Sequence, residues 1–288
     1  MRTIRQTYQT PEKHWVGNGF HVSPLFSHMG EDRRTSPFLM LDYAVPMHFE
    51  PNHGKPRGVG AHPHAGFETV TLALQGEVAH RDSAGNGGVI GSGDVQWMTA
   101  GKGIIHEEFH SEAFGRSGGM FEMLQFWVNL PKAHKNAPAR YQSLKAADIP
   151  VISKGNCAQI RVIAGDFDGT KGAAETFSEL NMWEIDIAAG GSLEIDIPAE
   201  HNLLLVALRG RLKINGSHTA EATELVGFEQ EAGKVLLETE SEAVKLVLLS
   251  GVPIDEPIAA YGPFVMNTQE EIIEKIHEFK AGKFGSLN

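Results

Sequence analysis

Cysteine is almost absent from this sequence. Cys157 is the single cysteine in 288 residues, so an internal disulfide is impossible and a secreted fold that depends on disulfides is excluded. Residues 1–13 contain no apolar core of a signal peptide. No run of about eighteen apolar residues occurs, which argues against a membrane-spanning helix. We therefore expect a cytoplasmic protein in a reducing compartment, with no membrane partner.

Positive charge is also scarce. Lysine and arginine total 25 residues against 36 aspartates and glutamates, which gives a net charge of -11. Such a surface repels polyphosphate backbones at long range, so direct nucleic-acid binding is disfavoured. Glycine and proline are frequent by contrast, with 32 and 14 residues. Without a repeat period, this composition is typical of tight turns between short strands.

The first half of the chain is predicted to consist mainly of β-strands. Stretches rich in β-branched and aromatic residues lie at 67–74, 77–81, 95–98 and 124–129. The strongest turn lies at 82–88, where Gly85, Asn86 and Gly87 tolerate positive φ and fit a hairpin tip. The pattern predicts a meander of successive strands.

The second half shows the same pattern. Its predicted strands lie at 159–164, 183–187, 193–197, 203–208, 211–214 and 244–249. We expect two all-β units, with the first at 1–130, a connecting segment at 131–158 and the second at 159–288. A short C-terminal helix is predicted after Thr268, which can form a capping box with Glu271.

Two histidines at alternate positions begin the candidate site. Side chains alternate along a strand, so His62 and His64 are predicted to point to the same face. If that strand continued, Val70, Leu72 and Leu74 would share the face and place the histidines on the apolar, inward side. Imidazoles buried there require a partner.

A second pair follows a Gly-Lys-Gly turn. His106 and Glu108 share one face of the predicted strand, while Glu107 points away. Three imidazoles and one carboxylate suit a borderline divalent ion, and four protein ligands on a six-coordinate ion leave two open positions. His110 and Glu68 also lie at even spacing from these residues, so parity alone does not choose between the alternatives.

Other reactive residues are interpreted as structural. The remaining histidines, His80 among them, have no partner at ligand spacing and are assigned to the core or rim. Cys157 has no histidine nearby in the sequence, so we interpret it as a structural residue and not as a nucleophile.

Two long motifs carry a resemblance to a known family. They read His-Pro-His-Ala-Gly-Phe-Glu-Thr-Val at 62–70 and Asp-Val-Gln-Trp-Met-Thr-Ala-Gly-Lys-Gly-Ile-Ile-His at 94–106. Shorter segments at 38–42, 127–131 and 262–268 follow the same order along the chain. In these motifs the sequence resembles the pirin family of bicupins over most of its length.

The resemblance implies an all-β fold of two cupin-type β-barrels or sandwiches packed face to face, with a short C-terminal helix. It implies metal only in the first barrel. The second barrel has no His-x-His pair, and the lone His201 leaves it without a set of metal ligands. The family's metal ligands map onto His62, His64, His106 and Glu108.

The resemblance also implies a function. We expect a metal-dependent dioxygenase of the quercetinase type, which opens the ring of a flavonol or a similar enol or phenol with dioxygen. The expected ion is Fe(II), with Mn(II), Ni(II), Cu(II) and Zn(II) as alternatives. Glu108 is the expected catalytic base. Glu107 stands where many pirins have alanine, and this extra charge could alter the entrance of the site. The family's substrate preference therefore applies to this chain less directly than its metal does.

Two other functions stay open. A regulatory protein could sense the oxidation state of its metal and act through a protein partner, because the acidic surface disfavours DNA itself. Alternatively, a closed ligand shell would indicate a purely structural metal.

Overall fold

The computed structural model of the chain describes residues 1–8, 12–28 and 33–287. No helix within these ranges has the length and apolar character that a membrane crossing requires. The strands are β1 Ile4–Tyr8, β2 His14–Val16, β3 Phe20–Ser27, β4 Phe38–Phe49, β5 Gly58–His64, β6 Phe67–Gln75, β7 Val78–Asp82, β8 Gly87–Ile90, β9 Val95–Thr99, β10 Ile104–His110, β11 Gly119–Asn129, β12 Arg140–Leu144, β13 Val151–Lys154, β14 Ala158–Ala164, β15 Asp166–Phe167, β16 Thr170–Lys171, β17 Leu180–Ile187, β18 Ser192–Asp196, β19 Asn202–Arg209, β20 Leu212–Ile214, β21 His218–Ala220, β22 Leu225–Phe228, β23 Lys234–Glu238, β24 Val244–Gly251, β25 Ala259–Tyr261 and β26 Phe264–Met266.

Two α-helices accompany the strands within the described ranges. Helix α1 spans Glu112–Ser117 and α2 spans Gln269–Lys280, and short 3-10 turns lie at Arg33–Thr35, Lys132–His134 and Ala146–Asp148. The predicted capping box at the start of α2 is confirmed. The side chains of Thr268 and Glu271 each accept a hydrogen bond from the other's backbone N–H.

The chain forms two compact units that are interleaved in sequence. Among the described residues, the first unit contains 12–27, 38–146 and 254–287, and the second contains 1–8, 28, 33–37 and 147–253. This division differs from the expected contiguous segments 1–130 and 159–288. The N-terminal strand β1 is hydrogen-bonded to β22, so it extends a sheet of the second unit.

The C-terminal helix belongs to the first unit and not to the second. Ile272 of α2 packs in one apolar cluster with Ala65, Phe264, Met266 and Phe284. The C-terminal residues of this cluster pack against the turn that follows β5. Removing these apolar surfaces from water stabilises the contact. The helix therefore lies beside the candidate site in the structure.

The segment 131–158 does more than connect two units. Its strand β12 pairs antiparallel with β9 at the edge of a sheet in the first unit. Its strand β13 pairs with β14 at the edge of a sheet in the second unit. The segment expected to be a linker therefore contributes one edge strand to each unit.

The first unit contains two antiparallel sheets that together hold the site. A seven-stranded sheet has the order β12-β9-β6-β11-β4-β3-β2, and a four-stranded sheet has the order β5-β10-β7-β8. The predicted hairpin at 82–88 is confirmed as the β7–β8 turn, with Gly85 at positive φ. The predicted meander is wrong, because strands that follow one another along the chain pass between the two sheets.

The second unit has the same arrangement. Its seven-stranded sheet has the order β1-β22-β19-β24-β17-β14-β13, and its four-stranded sheet has the order β18-β23-β20-β21. An apolar core fills it with residues such as Ile160, Trp183, Ile195, Leu205 and Leu246. All-β units of two sheets, expected from the sequence, are confirmed in both parts of the chain.

Cys157 does not pack in either core. Its side chain is exposed in the turn between β13 and β14. The structure therefore shows no packing role for this residue, and the prediction that it is not a nucleophile stays a prediction. A lone residue in a turn gives no periodic signal from which its burial could be read.

Candidate metal centre

The candidate site is built on two paired strands of the four-stranded sheet. Strands β5 and β10 run antiparallel, and their register places Ile104 opposite His64 and His106 opposite His62. Burial alternates strictly along β10, with His106 and Glu108 inside. Glu107 lies on the other face, where its carboxylate accepts a hydrogen bond of 2.5 Å from Arg81. The predicted orientation of the second motif is confirmed.

The first motif does not continue into the next strand. Strand β5 ends at His64 and β6 begins at Phe67 in the other sheet, because the chain turns at Gly66 with φ of 87°. A Cβ on Gly66 would lie 2.0 Å from the carbonyl oxygen of Val265, so only glycine fits this turn. Its carbonyl accepts a hydrogen bond from the buried Lys135 at 2.8 Å.

The prediction that Val70, Leu72 and Leu74 share a face with His62 and His64 is therefore wrong. Thr71 of β6 contacts Glu108 in the site, with Oγ1 and Oε1 3.5 Å apart. Neighbouring positions on a strand point to the opposite face. Val70 and Leu72 consequently face away from the histidines, and the inward face of β6 carries polar residues at this level.

Three imidazoles converge as the sequence predicts. The candidate ligand nitrogens of His62, His64 and His106 all lie within 4.8 Å of one another. The ring centroids are 4.3 Å apart for His62 and His106 and 4.8 Å apart for His64 and His106. Nitrogen–metal bonds of about 2.0–2.1 Å are the usual length for such ligands, so this cluster has the dimensions of a site for one ion.

Unused lone pairs in this cluster fit a metal. Nδ1 of His62 donates a hydrogen bond to the carbonyl oxygen of Gly60 at 2.8 Å, which leaves Nε2 unprotonated in the neutral ring. Nε2 of His106 and Nδ1 of His64 are buried and have no hydrogen-bond partner among the described residues. Buried polar atoms are nearly always paired, so these unpaired nitrogens indicate a missing bonding partner.

The electrostatic environment keeps the His64 and His106 rings neutral. Burial, followed by the neighbouring His62, lowers the pKa of His64 to about 3. Burial and the adjacent imidazoles lower the pKa of His106 well below its ordinary value. Metal ligation requires a neutral imidazole. The site therefore presents ligands in the required state without a cost for deprotonation near neutral pH.

Glu108 lies on the ligand face, but its carboxylate is not a member of the converging group. The side chain is buried and accepts hydrogen bonds from Gln125 Nε2 at 3.2 Å and from Thr71 Oγ1 at 3.5 Å. Burial raises the pKa of Glu108, and the nearby His62 opposes that effect. The structure thus brings together three of the four expected ligands and places the fourth beside them, held by two neutral donors.

The two rival ligands are also absent from the converging group. Glu68 lies three positions from Thr71 on β6 and so faces away from the site. Nε2 of His110 donates to the carbonyl oxygen of Gly19 at 2.9 Å, and the ring packs in an aromatic cluster with Phe20, Phe49, Phe114 and Phe121. Of the two glutamates considered, only Glu108 lies on the face of its strand that carries a converging histidine.

Several residues around the site were missed in the sequence. His80, Tyr141, Gln125 and Thr71 come from four different strands, and each contacts a member of the site or its neighbour. None has ligand spacing to the two motifs. His80 is placed opposite Glu108 by the pairing of β7 with β10, and the spacing of residues in the sequence does not show this pairing.

His201 in the second unit has a different environment. Nδ1 lies 3.3 Å from Ser250 Oγ and Nε2 lies 3.3 Å from Glu179 Oε1. Both ring nitrogens therefore have hydrogen-bond partners, unlike those of the three histidines in the first unit. A metal-free second unit stays a prediction.

Comparisons with known proteins agree with this architecture. The Pirin family model matches residues 19–128, and the Pirin C-terminal cupin domain model matches residues 182–285. The chain belongs to the pirin family. The expected bicupin fold class, with two cupin-type units and a short C-terminal helix, is thereby confirmed.

Relatives with assigned names extend this finding. A Pseudomonas aeruginosa protein provisionally named as a quercetin 2,3-dioxygenase is 47% identical over 99% of both chains. The crystal structure of quercetin 2,3-dioxygenase from Acinetobacter baumannii is 48% identical, with a TM-score of 0.96 and complete coverage of both chains. A bacterial pirin from Escherichia coli, crystallised with nickel(II), has a TM-score of 0.66 at 19% identity, covers 86% of this chain and 99% of its own, and shows the fold alone.

Proposed function

We propose that this pirin is a metal-dependent dioxygenase of the quercetinase type, which cleaves the ring of a flavonol or a related enol or phenol with dioxygen. The observation that carries the proposal is the convergence of His62, His64 and His106. Burial keeps His64 and His106 neutral, and each has a ring nitrogen without a hydrogen-bond partner among the described residues. The quercetin 2,3-dioxygenase name of relatives at 47–48% identity supports the reaction class.

The residues present fit one divalent ion. In our proposal His62, His64 and His106 supply nitrogen ligands and Glu108 supplies an oxygen ligand, a mixed set that borderline divalent metals accept. Fe(II) is the proposed ion, with Mn(II), Ni(II), Cu(II) and Zn(II) as alternatives. When bound, such an ion would polarise the substrate oxygens and provide positions at which dioxygen and substrate meet.

Glu108 is the proposed catalytic base. Its carboxylate is held by the Gln125 amide and the Thr71 hydroxyl, neither of which carries charge. These donors orient the carboxylate oxygens through neutral hydrogen bonds and not through an ion pair. A substrate hydroxyl that enters beside His62, the most accessible of the three histidines, would transfer its proton to this carboxylate.

Reconstitution tests the proposal directly. Metal-free protein is loaded anaerobically with Fe(II), quercetin is added, and air is admitted while oxygen consumption and flavonol absorbance are followed. We expect turnover in the wild type and in Glu107→Gln, because Glu107 lies on the opposite face of β10. Failure to consume quercetin with all five ions would refute the enzyme proposal.

The regulatory alternative stays a prediction. It requires that the oxidation state of the metal change affinity for a protein partner while no flavonol is consumed. A protein that binds Fe(II) in this site, consumes no flavonol and captures a partner only in one oxidation state would replace the enzyme proposal with the regulatory one.

A further inference from the structure

His80 is a buried imidazole that none of the steps above uses. It lies on β7 opposite Glu108 of β10, and it is 5% exposed. Burial alternates along β7, so His80 shares the inward face with Val78 and Asp82. Its Nε2 lies 3.1 Å from Nδ1 of His106.

This contact couples the tautomers of the two rings, because one nitrogen must donate and the other must accept. His106 can bind an ion only through a nitrogen that carries no hydrogen, and its Nε2 is the nitrogen without a hydrogen-bond partner among the described residues. The hydrogen of the neutral ring is then on Nδ1, which donates to Nε2 of His80. His80 then accepts through Nε2, and its own hydrogen is on Nδ1, which is buried without a hydrogen-bond partner among the described residues. His80 is not a member of the converging group.

We propose that His80 is a positioning residue of the metal centre, which fixes His106 in the Nδ1–H tautomer and orients its Nε2 toward the ion. The inference rests on the proposed metal site and adds a partner to it. Hydrogen-bond partners of ligating histidines raise ligand basicity, and their loss typically weakens metal binding by about 10–100-fold.

Tyr141 restrains His80 from its other side. The two rings are stacked, with centroids 5.3 Å apart and an interplanar angle of 5°. The Tyr141 hydroxyl has no hydrogen-bond partner within the described ranges, so this residue acts through its ring. Tyr141 comes from β12, the edge strand contributed by the segment first interpreted as a linker. Stacking limits rotation of His80 away from His106.

Metal titration of two His80 variants tests the proposal. Metal-free protein is titrated with Co(II), and the dissociation constant and ligand-field absorption are recorded. We expect His80→Phe to weaken binding by about 10–100-fold and to change the absorption spectrum. His80→Gln, whose Oε1 can accept the same hydrogen bond, should retain most of the affinity. Wild-type affinity and spectrum in His80→Phe would overturn the proposal.

A measurement on the unmodified chain covers the case in which His80→Phe does not fold. Long-range proton–nitrogen correlation spectra of metal-free protein report the tautomer of each neutral histidine. We expect the Nδ1–H form for His106, assigned by the loss of its peaks in His106→Gln. The Nε2–H form for His106 would overturn the proposal.

The titration needs neither flavonol nor dioxygen, so it separates this proposal from the enzymatic one. If the wild type consumes no quercetin but His80→Phe still loses Co(II) affinity, the positioning role stands and the enzyme proposal fails. If quercetin is consumed and His80→Phe binds normally, only the positioning role fails. A wild type that binds no divalent ion overturns both.

Discussion

A variant of Glu68 tests which buried carboxylate belongs to the metal centre. The side chain of Glu68 is 1% exposed, and Oε1 accepts a hydrogen bond of 2.6 Å from Thr99 Oγ1. Burial raises the pKa of Glu68 from its ordinary value of 4.5 to about 7, and the Thr99 hydroxyl offsets only part of this effect. Since one pKa unit corresponds to about 1.4 kcal/mol, ionised Glu68 destabilises the folded state by about 3 kcal/mol well above pH 7.

The sign of the pH dependence follows from this pKa. The folded chain holds the Glu68 proton to a higher pH than the unfolded chain does. The protonated carboxyl contributes stability that is fully present below about pH 4.5 and is lost as the pH rises through about 7. Glu68→Gln keeps an oxygen acceptor for Thr99 but cannot ionise. We expect its free energy of unfolding, relative to wild type, to rise by about 2 kcal/mol between pH 5 and pH 8.

Urea unfolding of the metal-free proteins at the two pH values, followed by tryptophan fluorescence, measures this change. Glu274→Gln, which removes an exposed carboxylate of α2, is the matched control and should show no such pH dependence. Metal content of Glu68→Gln should equal that of wild type. If the free energies of unfolding of Glu68→Gln and wild type differ by the same amount at both pH values, the argument from burial is refuted. Loss of metal in Glu68→Gln would refute the orientation of Glu68 away from the site.

Four further variants have defined outcomes. Glu108→Gln should abolish quercetin turnover while retaining part of the bound metal, measured by oxygen consumption and elemental analysis, and full activity would exclude its role as base. His64→Ala removes one of three converging nitrogens, so elemental analysis of the reconstituted protein should find little metal, whereas a full complement would exclude His64 as a ligand. Lys135→Met leaves three buried oxygens without their Nζ donor, so unfolding should show a loss of at least about 2 kcal/mol, and unchanged stability would contradict this role. Thr268→Ala removes the cap of α2 and should lower stability by about 1 kcal/mol, with the far-ultraviolet spectrum otherwise preserved.

Local features of the site could be predicted from the sequence because they depend on the backbone alone. Alternation along a strand places His106 and Glu108 on one face and Glu107 on the other, whatever the strand packs against. The capping box at Thr268 likewise depends on four consecutive residues. Such local rules, applied to the two motifs, were enough to identify three histidines that converge in space.

The errors arose where the chain leaves a strand. The turn at Gly66 moves the chain from one sheet to the other, so the parity of His62 and His64 does not extend to Val70. Parity arguments hold only within one uninterrupted strand. Nothing in the local sequence measures the close approach of Val265 that makes glycine necessary there.

The sequence by itself determined that the chain is all-β, that it carries two histidine-containing motifs and that its surface is acidic. Only the tertiary structure decided that β1 and α2 join the units farther from them in sequence, and that His80 contacts His106 and stacks on Tyr141. The physical reason is that strand register and apolar packing depend on which distant surfaces meet, whereas alternation and capping depend on adjacent residues.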